Sequence, residues 1–238
     1  MLSYFAELGK TFTWEDERAG LFGPVTVRCD PVGVVVAIVP WNVPQFTIMV
    51  KLPAALVAGC TVVVKPAPET PLDAYLLADL IEQVELPPGV VNIVPAGREV
   101  GEHLVSHRGV DQVAFTGSTA AGRRIGSICG QQLWRCSLEL GGKSAAIILD
   151  DADLAATVGW LEMASLMNNG QACVAQTRIL APRSRYDETV DAVVAMVSGL
   201  TVGDPADPAT QIGPWSPGGS RTGWRATLRS GRTRARRS

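Results

Sequence analysis

The 238-residue sequence lacks an apolar run long enough to cross a membrane. Its longest run, Val32–Val39 with one glycine in it, is much shorter than the about 20 residues that a spanning helix needs, and it is typical of a buried strand. The N-terminus also lacks the basic start, apolar middle and small-residue cleavage site of a signal peptide. We therefore expect a cytoplasmic protein with no membrane partner.

The chain has five cysteines, an odd number, and none of them forms a C-x-x-C pair. A disulfide framework is therefore not expected in a chain of this length. Four cysteines are expected to be small buried residues, namely Cys29, Cys60, Cys129 and Cys136.

Histidine is scarce, since the sequence contains two. His103 and His107 are four residues apart, but no acidic residue or cysteine accompanies them in a ligand pattern. They indicate a solvated helix face rather than a metal site.

Charge is unevenly distributed along the chain. Residues 214–238 hold seven arginines and no acid, which leaves 14 basic and 23 acidic residues and a net charge of −9 in residues 1–213. The basic segment has no hydrophobic period and is expected to be disordered. Arginine clusters can bind nucleic acid, but an unorganised tail on an acidic body favours no nucleic-acid partner.

Strand-like and helix-like segments alternate after residue 30, which predicts right-handed βαβ units and a largely parallel sheet with helices on both faces. Two extended segments, 20–28 and 32–39, come first. The later strands are expected at 61–64, 90–94, 112–115, 145–149 and 178–180. Helices are expected at 44–58, 72–85, 99–106, 119–128, 154–167 and 186–200.

A glycine-rich turn, Gly117-Ser118-Thr119-Ala120-Ala121-Gly122, joins a predicted strand to a predicted helix. Glycines at such a turn let backbone N–H groups approach a phosphate at the positive end of the helix. Arg123 and Arg124 follow the last glycine in place of the Lys-Ser/Thr of a P-loop, which disfavours a nucleoside triphosphatase. A tight turn with no ligand remains an equal alternative.

Two polar residues follow predicted strands. Asn42 lies between Pro40 and Pro44, where a rigid amide could stabilise an oxyanion or could cap a helix. Lys65 lies at the carboxyl end of a strand, where open α/β sheets bind ligands, although a surface lysine before a proline-rich turn is the commoner case.

A thiol and a carboxylate complete the candidate residues. Cys173, in Gly170-Gln171-Ala172-Cys173, could be a nucleophile or a buried structural thiol. Glu139 is flanked by leucines and followed by two glycines. A carboxylate buried there without a partner would cost several kcal/mol, which indicates a general base.

Taken together, these residues resemble the aldehyde dehydrogenase superfamily from about Phe5 to Pro214. Order and spacing of the motifs both agree. The matching motifs are Pro40-Trp41-Asn42-Val43-Pro44, Lys65-Pro66, Phe115-Thr116-Gly117-Ser118-Thr119 with Gly122, Glu139-Leu140-Gly141-Gly142-Lys143, and Gly170-Gln171-x-Cys173.

The resemblance implies oxidation of an aldehyde to a carboxylic acid with NAD or NADP. Cys173 would attack the aldehyde, Asn42 would hold the oxyanion, and Glu139 would activate water against the resulting thioester. The cofactor would lie on Ile38, Pro40, Trp41, Lys65, Thr116, Gly117, Ser118, Gly122 and Leu140. No metal is implied. Pro68 stands where many NAD-preferring members carry glutamate, with Glu69 one position later, so NADP stays open although NAD is slightly favoured.

The same resemblance implies a Rossmann-like α/β fold with the start of a second, catalytic α/β domain and a β-hairpin arm. The implied segments are a helix remnant and an oligomerisation hairpin (1–36, with the hairpin strands over Gly20–Val36), a dinucleotide-binding domain (37–140), a partial catalytic domain (141–213) and an Arg-rich tail (214–238). The hairpin implies self-association.

The family has further chain before and after the matching region, so we expect a truncated member whose tail is translated out of frame. Loss of the remaining catalytic domain predicts weak activity or none. The alternative is a non-catalytic remnant that binds nucleotide or oligomerises.

Overall fold

The chain divides into two compact units, Met1–Gly141 and Gly142–Ser238. The structure, a computed structural model, describes residues 1–215. The tail expected to be disordered, 214–238, lies almost entirely outside the described residues.

The first unit begins with helix α1 and a two-stranded hairpin and continues as alternating strands and helices. Its helices are α1 (Leu2–Thr11), α2 (Pro44–Val57), α3 (Leu72–Glu82), α4 (Arg98–Ser106) and α5 (Thr119–Gln132). Its strands are β1 (Glu15–Gly20), β2 (Gly23–Arg28), β3 (Val34–Ile38), β4 (Thr61–Lys65), β5 (Val91–Ile93), β6 (Gln112–Gly117) and β7 (Arg135–Leu140). The helices predicted from the sequence all form, and their ends differ from the predicted ones by no more than four residues.

Five of these strands form one parallel sheet in the order β5-β4-β3-β6-β7. Successive side chains of the central strand β3 point to opposite faces. Val35, Ala37 and Val39 pack with residues of α2 and α3, whereas Val36 and Ile38 pack with residues of α4 and α5. Burial on both faces explains why this strand is an uninterrupted apolar run, and the predicted Rossmann-like sheet is confirmed.

The prediction of which segments form the hairpin was wrong. The sequence placed the hairpin strands over Gly20–Val36, but the antiparallel pair consists of β1 and β2, with Glu15 opposite Arg28 and Gly20 opposite Gly23. The segment around Val34 belongs instead to the parallel sheet. β1 was missed because its sequence, Glu-Asp-Glu-Arg-Ala-Gly, has the charge of a loop; it forms because both faces of this hairpin are largely exposed.

Strand β7 was also missed by sequence analysis. It lies at the edge of the sheet beside β6, and its first three residues are exposed. Its apolar pattern therefore consists of Leu138 and Leu140. Two residues are too few to predict a strand from the sequence, and β7 is recognised only from its pairing with β6.

The second unit contains a short parallel pair of strands and two helices. They are β8 (Ala145–Ile147), α6 (Leu154–Leu166), β9 (Arg178–Leu180) and α7 (Tyr186–Ser198), with 3₁₀ turns at Met167–Gly170 and Arg183–Arg185. Asp153 caps α6 by accepting a hydrogen bond from the Ala156 N–H at 3.1 Å. Ile148, Leu154, Val158 and Leu161 form its small core, against which α7 packs.

Two further expectations can be compared with the structure. Cys60 and Cys129 are buried, but Cys29 and Cys136 are exposed, so the prediction of four buried cysteines was wrong for these two. Within residues 1–215, no helix is both long enough and apolar enough to cross a membrane.

Candidate active site

The carboxyl edge of the five-stranded sheet holds a topological switch point. The connection after β3 leads to β4 on one side, whereas the connection after β6 leads to β7 on the other. In open α/β sheets, the loops after two such strands diverge, and ligands bind in the crevice between them.

Strand register brings most of the predicted cofactor residues to this edge. Ile38 is opposite Lys65 on one side and Phe115 on the other. Farther along the sheet, Gly117 is opposite Leu140 and Thr116 is opposite Glu139. Pro40, Trp41 and Asn42 follow β3, and Ser118 and Gly122 follow β6. The sequence separations give no hint of this proximity, which follows from parallel pairing.

The glycine turn after β6 begins α5 with an ordered cap. The Ser118 side chain accepts a hydrogen bond from the Ala121 N–H at 3.2 Å, so the helix N-terminus points its remaining N–H groups and positive dipole end at the crevice. A Cβ at Gly122 would lie 2.6 Å from Leu140 Cδ2. Any larger residue here would displace the Leu140 side chain, so glycine allows the close approach of α5 to the end of β7.

Lys65 is buried, with 6% of its surface exposed. Its Nζ donates hydrogen bonds to the carbonyl oxygens of Pro66 at 2.9 Å and Ala96 at 2.7 Å. Burial lowers the pKa of Lys65, and the charge of Glu69 partly offsets that shift. Lys65 is thus not the surface lysine that was the commoner alternative, but a cation held between the ends of β4 and β5.

Asn42 lies in the loop between β3 and α2 and is half-buried. The capping alternative is disfavoured, because the N-cap position of α2 is Val43. Thr70 Oγ1 donates a hydrogen bond to the Trp41 carbonyl oxygen at 3.0 Å, which ties the Asn42 loop to the segment after Lys65.

Glu139 is exposed in the structure, so the expectation that it is a buried core carboxylate was wrong. It lies on strand β7, which is an edge strand of the sheet formed by residues 1–215. Its charge acts on Lys51 of α2: burial lowers the pKa of Lys51, and Glu139 partly offsets that shift. Sequence analysis missed Lys51. The clue in the sequence was that Lys51 lies nine residues after Asn42, on the helix that follows the Asn42 loop.

Cys173 lies in the second unit and is exposed. The segment before it is unusual, since Asn168, Asn169 and Gly170 all have positive φ, at 55°, 58° and 70°. The Asn169 side chain accepts a hydrogen bond from the Gly213 N–H at 3.1 Å and donates one to the Pro214 carbonyl oxygen at 3.4 Å. These bonds hold the left-handed segment in place and so stabilise the turn that presents the thiol.

After Cys173, two hydrogen bonds fasten the chain back to α6. Ser165 Oγ donates to the Gln176 carbonyl oxygen at 2.8 Å, and the Gln176 N–H donates to the Ala164 carbonyl oxygen at 2.9 Å. Cys173 therefore lies on an exposed turn with both ends anchored. An exposed thiol is unlike the buried structural cysteine that was the alternative.

Comparisons with known proteins agree with this architecture. Residues 1–233 match the model of the aldehyde dehydrogenase family. The chain is 55% identical over 215 residues to geranial dehydrogenase of Castellaniella defragrans, covering 90% of this chain and 45% of that protein. It is 42% identical over 209 residues to human retinal dehydrogenase 2, covering 84% of this chain and 40% of that one.

Solved structures give the same result. An aldehyde dehydrogenase of Mycobacterium tuberculosis complexed with NAD+ superimposes with a TM-score of 0.88 at 53% identity, covering 90% of this chain and 44% of that one. The chain thus spans less than half the length of the relatives it matches. The family match and these identities establish that this chain belongs to the aldehyde dehydrogenase family.

Proposed function

We propose that this chain binds NAD on its first unit and provides Cys173 as the nucleophile for oxidation of an aldehyde to a carboxylic acid. The observation that carries the proposal is the convergence of the predicted cofactor residues on one edge of the parallel sheet, at its switch point. Functionally, we assign 37–140 to dinucleotide binding and 141–213 to part of a catalytic domain.

The residues at the sheet edge fit a dinucleotide. The capped N-terminus of α5 offers N–H groups to a pyrophosphate. Gly122 lets that helix approach Leu140, and Lys65 offers a buried ammonium group to ribose hydroxyls. When bound, the nicotinamide accepts the hydride that the aldehyde carbon loses.

The chain's own residues take the remaining steps. We assign to the Cys173 thiolate the addition to the aldehyde carbon, which gives a thiohemiacetal, and to the Asn42 amide the stabilisation of an oxyanion. Loss of hydride leaves a thioester on Cys173. Glu139 then takes a proton from water, which attacks the thioester and releases the acid and the thiolate.

NAD is the favoured cofactor because of Glu69. The electrostatic effect of this carboxylate on Lys65 means that it lies close to the lysine that would bind the ribose. A negative charge there disfavours the 2′-phosphate of NADP, although Pro68 occupies the position of the usual glutamate.

Turnover by the 238-residue chain is expected to be low, because more than half the length of its relatives has no counterpart in it. The alternative, a remnant that binds nucleotide without turnover, has the same fold and differs in its kinetics.

The test is calorimetric titration of the full chain with NAD+, followed by an assay of aldehyde-dependent nicotinamide reduction by wild type and Cys173→Ser. We expect NAD+ binding in both proteins, and slow reduction in the wild type that Cys173→Ser abolishes. Binding without any reduction in the wild type would support the remnant. Failure of NAD+ to bind either protein contradicts the proposal.

A further inference from the structure

Two cysteines outside the candidate site, Cys129 and Cys136, lie where α5 ends and β7 begins. The geometry of neighbouring residues shows how the helix and the strand are aligned. A Cβ at Gly122 would lie 2.6 Å from Leu140 Cδ2, and one at Gly126 would lie 3.6 Å from Leu138 Cδ1. The four residues from Gly122 to Gly126 on α5 therefore run alongside the two residues from Leu140 back to Leu138 on β7. The two lengths agree because a helix rises less per residue than a strand does.

If the same pairing continues for another four residues of α5 and two of β7, the end of α5 lies at the level of Cys136. Side chains of residues 136, 138 and 140 share one face of β7 because strand side chains alternate. Leu138 and Leu140 on that face pack into the core cluster that contains Cys129. The Trp134 N–H also donates a hydrogen bond to the Cys129 carbonyl oxygen at 2.9 Å, which holds the start of β7 against the last turn of α5.

The two thiols are free and differ in accessibility. Cys129 is 1% exposed, whereas Cys136 is exposed. Burial, with the neighbouring Cys136 as a second cause, raises the pKa of Cys129 from its ordinary value of 9.0 to about 11. One thiol is therefore reachable from solvent, and the other is shielded in the core.

We propose that Cys129 and Cys136 form a reversible intramolecular disulfide that links the last turn of α5 to the edge strand β7. The oxidant is a low-molecular-weight disulfide. The Cys136 thiolate attacks one of its sulfur atoms, forms a mixed disulfide and releases one small thiol. Cys129 then gives its proton to solvent and attacks the Cys136 sulfur, which releases the second small thiol. Two protein thiols are oxidised and one small disulfide is reduced to two thiols.

The consequence follows from the position of the bond. Residue 136 is near the amino end of β7, whereas Leu140 and the cofactor residues are at the carboxyl end. Oxidation should therefore stabilise the edge strand without changing NAD+ binding, and the inference does not depend on the proposed function. Closing this short loop is expected to raise the thermal midpoint by about 5 °C.

The sequence allows a direct assay. Trypsin cleaves after Arg124, Arg135 and Lys143, so the two cysteines fall into separate peptides, 125–135 and 136–143. The full chain is incubated at low concentration with oxidised glutathione, unreacted thiols are alkylated, and the non-reduced digest is analysed by mass spectrometry. We expect peptides 125–135 and 136–143 as one linked species that a reductant separates, in a chain of monomer mass.

Matched variants complete the test. The linked species and the rise in thermal midpoint should be absent from Cys136→Ser and Cys129→Ala and retained in Cys29→Ser, which removes another exposed cysteine. Circular dichroism checks that each variant is folded. Cys136 carrying only a glutathione adduct, Cys129 alkylated after oxidation, a bond to Cys173, or a bond between two chains would each overturn the proposal.

Discussion

Lys65 and Glu69 determine the charge beside the end of β4. Lys65 is buried and bonded to two carbonyl oxygens, and Glu69 is exposed. The charge of the Glu69 carboxylate already affects the pKa of Lys65. It can therefore also act on a ligand bound beside Lys65.

Replacing Glu69→Gln is expected to weaken discrimination against NADP, because the neutral amide no longer repels a 2′-phosphate. The ratio of the NADP Kd to the NAD Kd should fall by roughly threefold, the range of exposed charge interactions. Calorimetric titration with both cofactors measures it. Glu17→Gln, in the hairpin, is the matched control and should leave the ratio unchanged; an equal fall in both variants would contradict the role of Glu69.

Single residues show how far a sequence motif predicts a site. The identities of Asn42, Lys65 and Gly117 indicated a ligand edge, and parallel register brings the strand ends that carry them together. The environment of Glu139 was predicted wrongly, because its leucine neighbours indicated a core. Exposure depends on which strands border β7, and that is a property of the sheet rather than of the residues beside Glu139.

At the scale of elements, α5 connects the candidate cofactor edge to the rest of the first unit. Its N-terminal turn is capped by Ser118, its middle passes close to β7 at Gly122 and Gly126, and its C-cap residue, Leu133, has a left-handed conformation with φ 59°. The helix can hold its N-terminus at the crevice because glycine allows this close approach.

Gly122→Ala is expected to displace Leu140 and to destabilise the chain by about 1 kcal/mol, the lower end of the cost of overpacking. It should also weaken NAD+ binding, since the N-terminus of α5 moves with it. Urea denaturation and titration with NAD+ measure the two effects.

Gly130→Ala is the matched control on the same helix, since a Cβ there meets no atom of the described residues within 4 Å. It should stabilise the chain by about 0.4–1 kcal/mol, the usual gain of alanine over glycine in a helix. If both variants bind NAD+ as the wild type does, the close packing of α5 on β7 is not needed for the site.

At the scale of the whole molecule, the hairpin is the feature that bears on self-association. The hairpin tip carries Leu21 and Phe22, which are 91% and 100% exposed. An apolar tip on two strands whose own faces are exposed is typical of a contact surface. We infer that the hairpin mediates self-association of this chain.

A Leu21→Ser, Phe22→Ser double variant is therefore expected to shift the chain toward the monomer, because it removes apolar surface that association would bury. Sedimentation velocity over a range of concentrations measures the shift. Leu133→Ser, at a position that is 92% exposed outside the hairpin, is the control and should not change the distribution. Unchanged association of the double variant would show that another surface is responsible.

The sequence by itself determined the family, the alternation of strands and helices, and the identity of the candidate catalytic and cofactor residues. Each of these depends on local patterns: apolar periodicity, proline and glycine at turns, and motifs of adjacent residues. The boundaries of α2, α4 and α6 were accurate to within one residue for the same reason.

Tertiary structure alone decided the pairing of β1 with β2, the presence of β7, and the exposure of Glu139, Cys29 and Cys136. Strand pairing and solvent exposure depend on residues distant in sequence, and the hydrogen bonds of an edge strand or an exposed hairpin leave little apolar pattern in the strand itself.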